Sequence, residues 1–185
     1  TNGKSTTTAL IAHLLRHAGR DVQMGGNIGV PVLQLAPAAP QRHYVIECSS
    51  YQIDLAPSID PTVGIMLNVT PDHLDHCGIH SLEQMARLKR TVLERAVEGV
   101  VLNAEDPRCL AMAPGLRART VCLVSMQRSL GELRGRHAHC DHFALLETVA
   151  GKEWIVLHDL GTRIPVMPIS EIPATFDGLA RYNIS

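Results

Sequence analysis

Gly3, Lys4 and Ser5 stand in the order that closes a phosphate-binding loop, G-x-x-x-x-G-K-[ST]. In such a loop successive backbone N–H groups and a helix N-terminus face the phosphates. Lys4 would reach the β/γ-phosphates, and the Ser5 hydroxyl would bind Mg²⁺. Glu47 closes the apolar run "RHYVIE". Ligands of open α/β sheets gather at the carboxyl ends of strands, and a carboxylate there suits Mg²⁺; a lone Glu that simply faces water is the plainer account. Asn68 and His73 follow the next apolar run in the same way, although a single histidine is more often a hydrogen-bonded structural residue. Lys89 falls in the apolar stripe Leu82, Met85, Val92, Leu93, Ala96 of a helical segment. A lysine on an inward face must snorkel, pair or do chemistry. On the helix pattern alone, snorkelling is the readier account.

The elements that must carry these residues follow from periodicity. After "TNGKSTTT" the segment "ALIAHLLRHAG" repeats apolar residues at helical spacing (Leu10, Ile11, Leu14, Leu15, Ala18), with Gly19 suited to the C-cap. "RHYVIECSS" reads as a buried strand ending near Glu47, and "TVGIMLNV" as a second strand. Thr70 is placed to cap a helical turn with Pro71 in its first position. "SLEQMARLKRTVLERA" (residues 81–96) is the clearest helix, opened by the Ser81/Gln84 capping box. "GVVLNAEDP" and "RTVCLVS" add two strands, and "LAPAAPQ" (residues 35–41) reads as a loop. Alternation of strands and helices predicts an α/β, P-loop-type three-layer domain with a mostly parallel central sheet. From about residue 135 to 170 the short runs "HFALLET", "WIVLHDL" and "TRIPVMP" predict a small antiparallel sheet instead.

Composition narrows the function. The 185 residues carry a net charge of -1 with a pI of about 6.8, and aromatics are only 3%. Neither the basic footprint nor the stacking residues of a nucleic-acid binder are present. No run of eighteen apolar residues predicts a membrane span. Five scattered cysteines without a C-x-x-C pair fit a reduced, cytoplasmic protein. The clusters "HLDHCGIH" and "HAHCDH" raise zinc as the lesser reading, because structural zinc ligands usually pair across a spaced gap and these are crowded into loops. Both ends read as cut inside or at the edge of an element, so an excised domain is expected, with residues 175–185 opening a linker to a further domain.

Taken in order, "TNGKSTTT", "GGNIG", "ECSSYQ", "LNVTPDHLD" and an inward lysine resemble the central ATP-binding domain of the Mur ligases, specifically over residues 1 to about 76. The front motifs are most similar to the branch that adds D-glutamate to a UDP-muramoyl precursor. The resemblance implies that ATP phosphorylates a substrate carboxylate and that an amino-acid amine displaces the phosphate. It implies nucleotide binding by Asn2, Gly3, Lys4, Ser5 and Thr6, with Asn103 of "LNAED" near the adenine. Ser5 and Glu47 would hold one Mg²⁺, and His73 with a carbamylated Lys89 a second. Lys4, Asn27, His73 and Lys89 would serve the reacting groups, with Ser49, Ser50 and Gln52 near the muramoyl substrate. The implied cofactors are ATP and Mg²⁺. The implied partners are small molecules (a nucleotide-sugar peptide precursor and an amino acid), with no nucleic acid and no membrane. The back half, above all "IPATFDGLARYNIS", is more similar to the Mur-ligase-like part of cyanophycin synthetase, which implies instead a peptide polymer and arginine. A rival of another class is a nucleotide-binding fragment without catalysis.

Overall fold

The computed structural model describes residues 2–71 and 80–172. These divide into two compact units. One holds the residues up to Ser58 together with Pro71–Leu88, and the other Ile59–Thr70 together with those from Lys89 onward.

The first unit begins with α1 (Lys4–His17). Its N-cap, Gly3, has φ 84°, a left-handed conformation that glycine adopts without the Cβ penalty of other residues. At the other end Gly19 N–H bonds to Arg16 O at 2.9 Å and Arg20 N–H to Leu15 O at 3.0 Å, the double closure of a Schellman motif. The helix lies on two parallel strands, β1 (Asp21–Gly26) and β2 (Arg42–Glu47), whose register runs from Asp21↔Arg42 to Gly26↔Glu47. Thr8 and Ala12 are the buried residues of α1, while Leu10 and Leu14 of the expected stripe stay exposed. Two strands cover only one side of a helix, so the outer half of an apolar stripe has nothing to pack on. For the same reason β2 is less buried than its apolar run suggests, with Tyr44 exposed. The expected loop at 35–41 is held by Tyr44 Oη donating to Ala36 O at 2.6 Å and by Arg42 to Pro37 O at 2.6 Å. After β2 comes the short helix α2 (Ser50–Asp54).

In the second unit β3 (Val63–Met66), β4 (Gly99–Asn103), β5 (Thr120–Ser125), β6 (His142–Val149), β7 (Lys152–Asp159) and β8 (Thr162–Pro168) form one sheet in that order. The β3 to β6 pairings are parallel and the β6–β7 and β7–β8 pairings antiparallel. The antiparallel strands lie where the sequence places them, but they extend the parallel sheet through β5–β6 rather than forming a sheet of their own. Two-residue turns join them, Ala150–Gly151 (φ 50° and 77°) and Leu160–Gly161 (φ 48° and 91°). Positive φ at both positions marks the type I′ turn, whose twist matches that of the strands it connects. Val100, Leu102, Leu123, Phe143 and Val156 form the core of this sheet, each no more than 1% exposed. His158, also buried, and Arg163 both bond to Glu147, at 2.5 and 2.8 Å. Burial pushes the Glu147 carboxyl up, but these partners outweigh it and hold the group below the ordinary glutamate range.

Helix α3 (Leu82–Glu94) opens on the expected capping box: Gln84 N–H donates to Ser81 Oγ at 3.1 Å and Ser81 N–H to Gln84 Oε1 at 3.2 Å. Its buried residues include Met85, Lys89 and Leu93, the stripe read from the sequence. Two further short helices, α4 (Pro107–Leu110) and α5 (Leu130–Arg136), follow β4 and β5.

Candidate functional site

At the N-terminus of α1, Glu47 collects the polar residues of the first unit. The residue is 4% exposed. Oε2 accepts from Ser5 Oγ at 2.8 Å and Oε1 from Asn27 Nδ2 at 2.9 Å. The backbone supports the same contact, with Asn27 N–H donating to Glu47 O at 2.8 Å. Glycine makes this approach possible. A Cβ on Gly26 would sit 2.3 Å from Glu47 O, and one on Gly25 would sit 2.1 Å from Val30 O. No side chain fits at either place without moving backbone, so "GGNIG" is a turn pressed against the strand end that carries the acid.

Ser5 Oγ and Glu47 Oε2 fit a magnesium ion as neighbouring ligands. Both are hard oxygens, and their 2.8 Å spacing is close to the roughly 3 Å between adjacent oxygens of an octahedron with bonds of about 2.1 Å. Lys4, in the first turn of the same helix, is half-buried. Asn2, Gly3 and Thr6 are exposed around it. The positive end of α1 and the N–H groups of its first turn thus lie beside a buried carboxylate and a lysine, an arrangement for holding an anion through a cation.

Immediately after Glu47 the chain enters α2. Ser49 Oγ accepts from Gln52 N–H at 3.2 Å, and Gln52 Oε1 accepts from Ser49 N–H at 2.9 Å. These two residues form the capping box of α2, so the structure gives them a local role beside the substrate role expected of them. Ser50 is the first residue of the helix.

The second unit holds Lys89 and Asn103. Lys89 is 7% exposed, too buried to be a snorkelling side chain. Burial and the Asp106 charge push the Cys109 thiol up to about 12, while Lys89 pulls the other way. Asn103 ends β4. Its Nδ2 donates to Leu67 O at 2.9 Å, and its Oδ1 accepts from Glu105 N–H at 2.8 Å. These two bonds fix the orientation of the amide and leave one N–H and one oxygen lone pair for another partner. Asp106, three residues on, is missing from the residues singled out in the sequence. Its only sequence signal is the D-P pair of a capped helix start.

His73, His76 and Cys77, the capping turn expected from Thr70–Pro71, and residues 175–185 lie wholly or partly outside the described residues. Among the described residues no group of three or more His, Cys, Asp or Glu side chains could hold a metal. In "HAHCDH" the His137 and His139 rings meet edge to face at 6.0 Å, and His142 Nδ1 lies 3.0 Å from Asp159. Zinc gains nothing from this segment.

A glycine-lysine-serine turn opening a helix beside parallel strands, with an acid at the neighbouring strand end, defines a nucleotide-handling α/β protein of the P-loop class. The profile of the Mur ligase middle domain matches residues 1–159, and the chain belongs to that family. It is 47% identical over 152 residues to the UDP-N-acetylmuramoylalanine–D-glutamate ligase of Mesorhizobium japonicum, an alignment covering 82% of this chain and 32% of that protein. With the protein of the same name from Agrobacterium fabrum it is 63% identical over 116 residues, covering 61% and 24% of the two. The chain therefore spans about a third or less of the length of these relatives. Among solved structures, a UDP-N-acetylmuramoyl-L-alanyl-D-glutamate–2,6-diaminopimelate ligase superposes with a TM-score of 0.60 at 18% identity, over 90% of this chain and 37% of that one. A MurF ligase from Thermotoga maritima in complex with ADP gives 0.59 at 16%, over 90% and 38%. Both share the fold. The back-half similarity to cyanophycin synthetase gains no support from these relatives.

Proposed function

We propose that this chain is the ATP- and magnesium-handling core of an ADP-forming ligase that joins D-glutamate to UDP-N-acetylmuramoyl-L-alanine. The observation that carries the reading is the contact of Ser5 and Asn27 with the buried Glu47 carboxylate at the N-terminus of α1. Relatives named for that reaction, at about half identity across most of the chain, support it.

Phosphoryl transfer asks a protein for positioning and charge neutralisation rather than covalent help. The α1 N-terminus and Lys4 hold the β/γ-phosphates. Ser5 and Glu47 would hold Mg²⁺, which when bound neutralises charge on the phosphate oxygens. Asn27, fixed by Glu47, presents its remaining amide groups to the reacting oxygens. The muramoyl carboxylate attacks the γ-phosphorus and ADP leaves. The glutamate amine then attacks the acyl phosphate, and phosphate departs with one of the original carboxylate oxygens. Lys89, carbamylated, and His73 would hold a second metal ion. Asn103 meets the adenine through the donor and acceptor it has left. Ser50, beside the Ser49–Gln52 cap, faces the muramoyl substrate. A cytoplasmic reaction is in keeping with five cysteines that read as reduced.

The test is ADP release by the complete gene product. Release should require both UDP-N-acetylmuramoyl-L-alanine and D-glutamate, and Lys4→Ala should abolish it. ATP hydrolysis indifferent to either substrate, or near-normal turnover by Lys4→Ala, would overturn the proposal.

A further inference from the structure

Beyond the last β3–β4 pairing, Met66↔Leu102, the segment Leu67–Thr70 leaves the sheet. Side chains from the turn after β4 hold its backbone in place of the ladder. Asn103 Nδ2 donates to Leu67 O at 2.9 Å, and Asp106 Oδ2 accepts from Val69 N–H at 2.8 Å. Asn68 lies between these two tethers. Asp106 Oδ1 meanwhile accepts from Arg108 N–H at 2.7 Å and Cys109 N–H at 3.1 Å, capping α4. One carboxylate thus joins three backbone donors on two segments 37 residues apart. Val69 is fully buried, so its N–H has no access to bulk water. A helix of four residues needs a cap but does not need a long-range tether, and a serine would cap it as well.

We infer that Asp106 is a positioning residue for nucleotide binding. Its second oxygen fixes the Val69 backbone and so restrains Asn68 between it and Leu67, which Asn103 grips. The pair of strand-end amides, Asn68 and Asn103, then presents a preformed edge at the carboxyl end of the sheet, where ligands of such sheets bind. The inference rests on the reading that Asn103 meets the base. It goes further by assigning a role to a residue that touches neither nucleotide nor metal.

Two substitutions separate the tether from the cap. Asp106→Ser keeps an N-cap oxygen but is too short to reach Val69. Asp106→Asn has one acceptor oxygen, and with the two N–H donors of the cap holding it Val69 N–H is left facing an NH₂ group. In the complete enzyme both should raise the KM for ATP by about tenfold, the size of one ordinary hydrogen bond lost from binding. Their kcat should stay within about threefold, as for the loss of binding shared by ground and transition states. Amide exchange at Val69 should accelerate while the β4 amides keep their protection. An unchanged KM alongside faster Val69 exchange would overturn the positioning role, and so would a lower kcat at constant KM, the mark of a merely smaller folded fraction. If the wild type neither binds nor turns over ATP, the nucleotide reading itself falls and the positioning role with it; Val69 exchange would still report the tether.

Discussion

Replacing Glu47 by glutamine separates what the carboxylate does for the fold from what it does for the metal. In the structure Glu47 receives two neutral donors, the Ser5 hydroxyl at 2.8 Å and the Asn27 amide at 2.9 Å. Glutamine keeps one acceptor oxygen for Asn27, and its NH₂ can donate to Ser5 once that hydroxyl rotates. The net loss is at most about one hydrogen bond, on the order of 1 kcal/mol. That corresponds to a fall in Tm of roughly 2–4 °C for a domain of this size. The charge, however, is gone. A preorganised group aimed at developing charge is worth about 10²–10³ in kcat. Glu47→Gln should therefore melt within a few degrees of the wild type, lose activity by about two to three orders of magnitude, and need much more Mg²⁺ for half-maximal rate. Thermal melts and a magnesium titration of ADP release check both halves. A variant with unchanged magnesium dependence, or one that loses activity only because it unfolds, would refute the assignment of Glu47 to the metal.

Three further outcomes follow from the same structure. Leu160, 73% exposed at φ 48° in the β7–β8 turn, carries a side chain that disfavours that conformation; Leu160→Asn should stabilise the fold by about 1 kcal/mol, seen as a higher melting temperature. Lys89→Met removes the buried nitrogen but keeps an apolar chain of similar length, so ligase turnover should be lost in protein that a thermal melt shows to be folded; retained turnover would remove Lys89 from the site. Burial, joined by the nearby Asp106 and Asp141 charges, raises the Cys109 thiol to about 12 and the Cys140 thiol to about 11, and burial raises Cys122 to about 11 as well. The folded state then keeps protons that the unfolded state loses above about pH 9, so stability should decline from there upward, as denaturant melts across pH 8–11 would show, and these thiols should label slowly at neutral pH.

The sequence revealed what is local. The α3 stripe and its Ser81/Gln84 cap, the strand runs and the Gly3–Ser5 turn are all patterns within a few residues. β1 is not legible as a strand because "DVQMGG" ends in two glycines and lacks a β-branched run; Gly26 answers to Glu47 on the neighbouring strand and Gly25 to Val30. "SSYQ" carries the same S-x-x-Q signal as "SLEQ", and the substrate role implied by the family resemblance masks its capping role. Leu10 and Leu14 fit the helical period but not the packing, because periodicity gives a face and cannot say how much surface lies opposite it. The join of the antiparallel strands to β5, and the reach of Asp106 to Val69, are pairings between distant segments that no local pattern encodes. In the candidate site, residue types on motifs were legible, while the contacts that orient them (Asn27 on Glu47, Asn103 on Leu67) were not.

The central claim is an acyl phosphate formed on ATP, and oxygen tracing tests it most directly. UDP-N-acetylmuramoyl-L-alanine labelled with oxygen-18 in its carboxylate would be turned over with ATP and D-glutamate by the complete gene product, and the phosphate analysed by mass. Each phosphate released should carry one labelled oxygen from the carboxylate. Unlabelled phosphate accompanying amide formation would contradict the account.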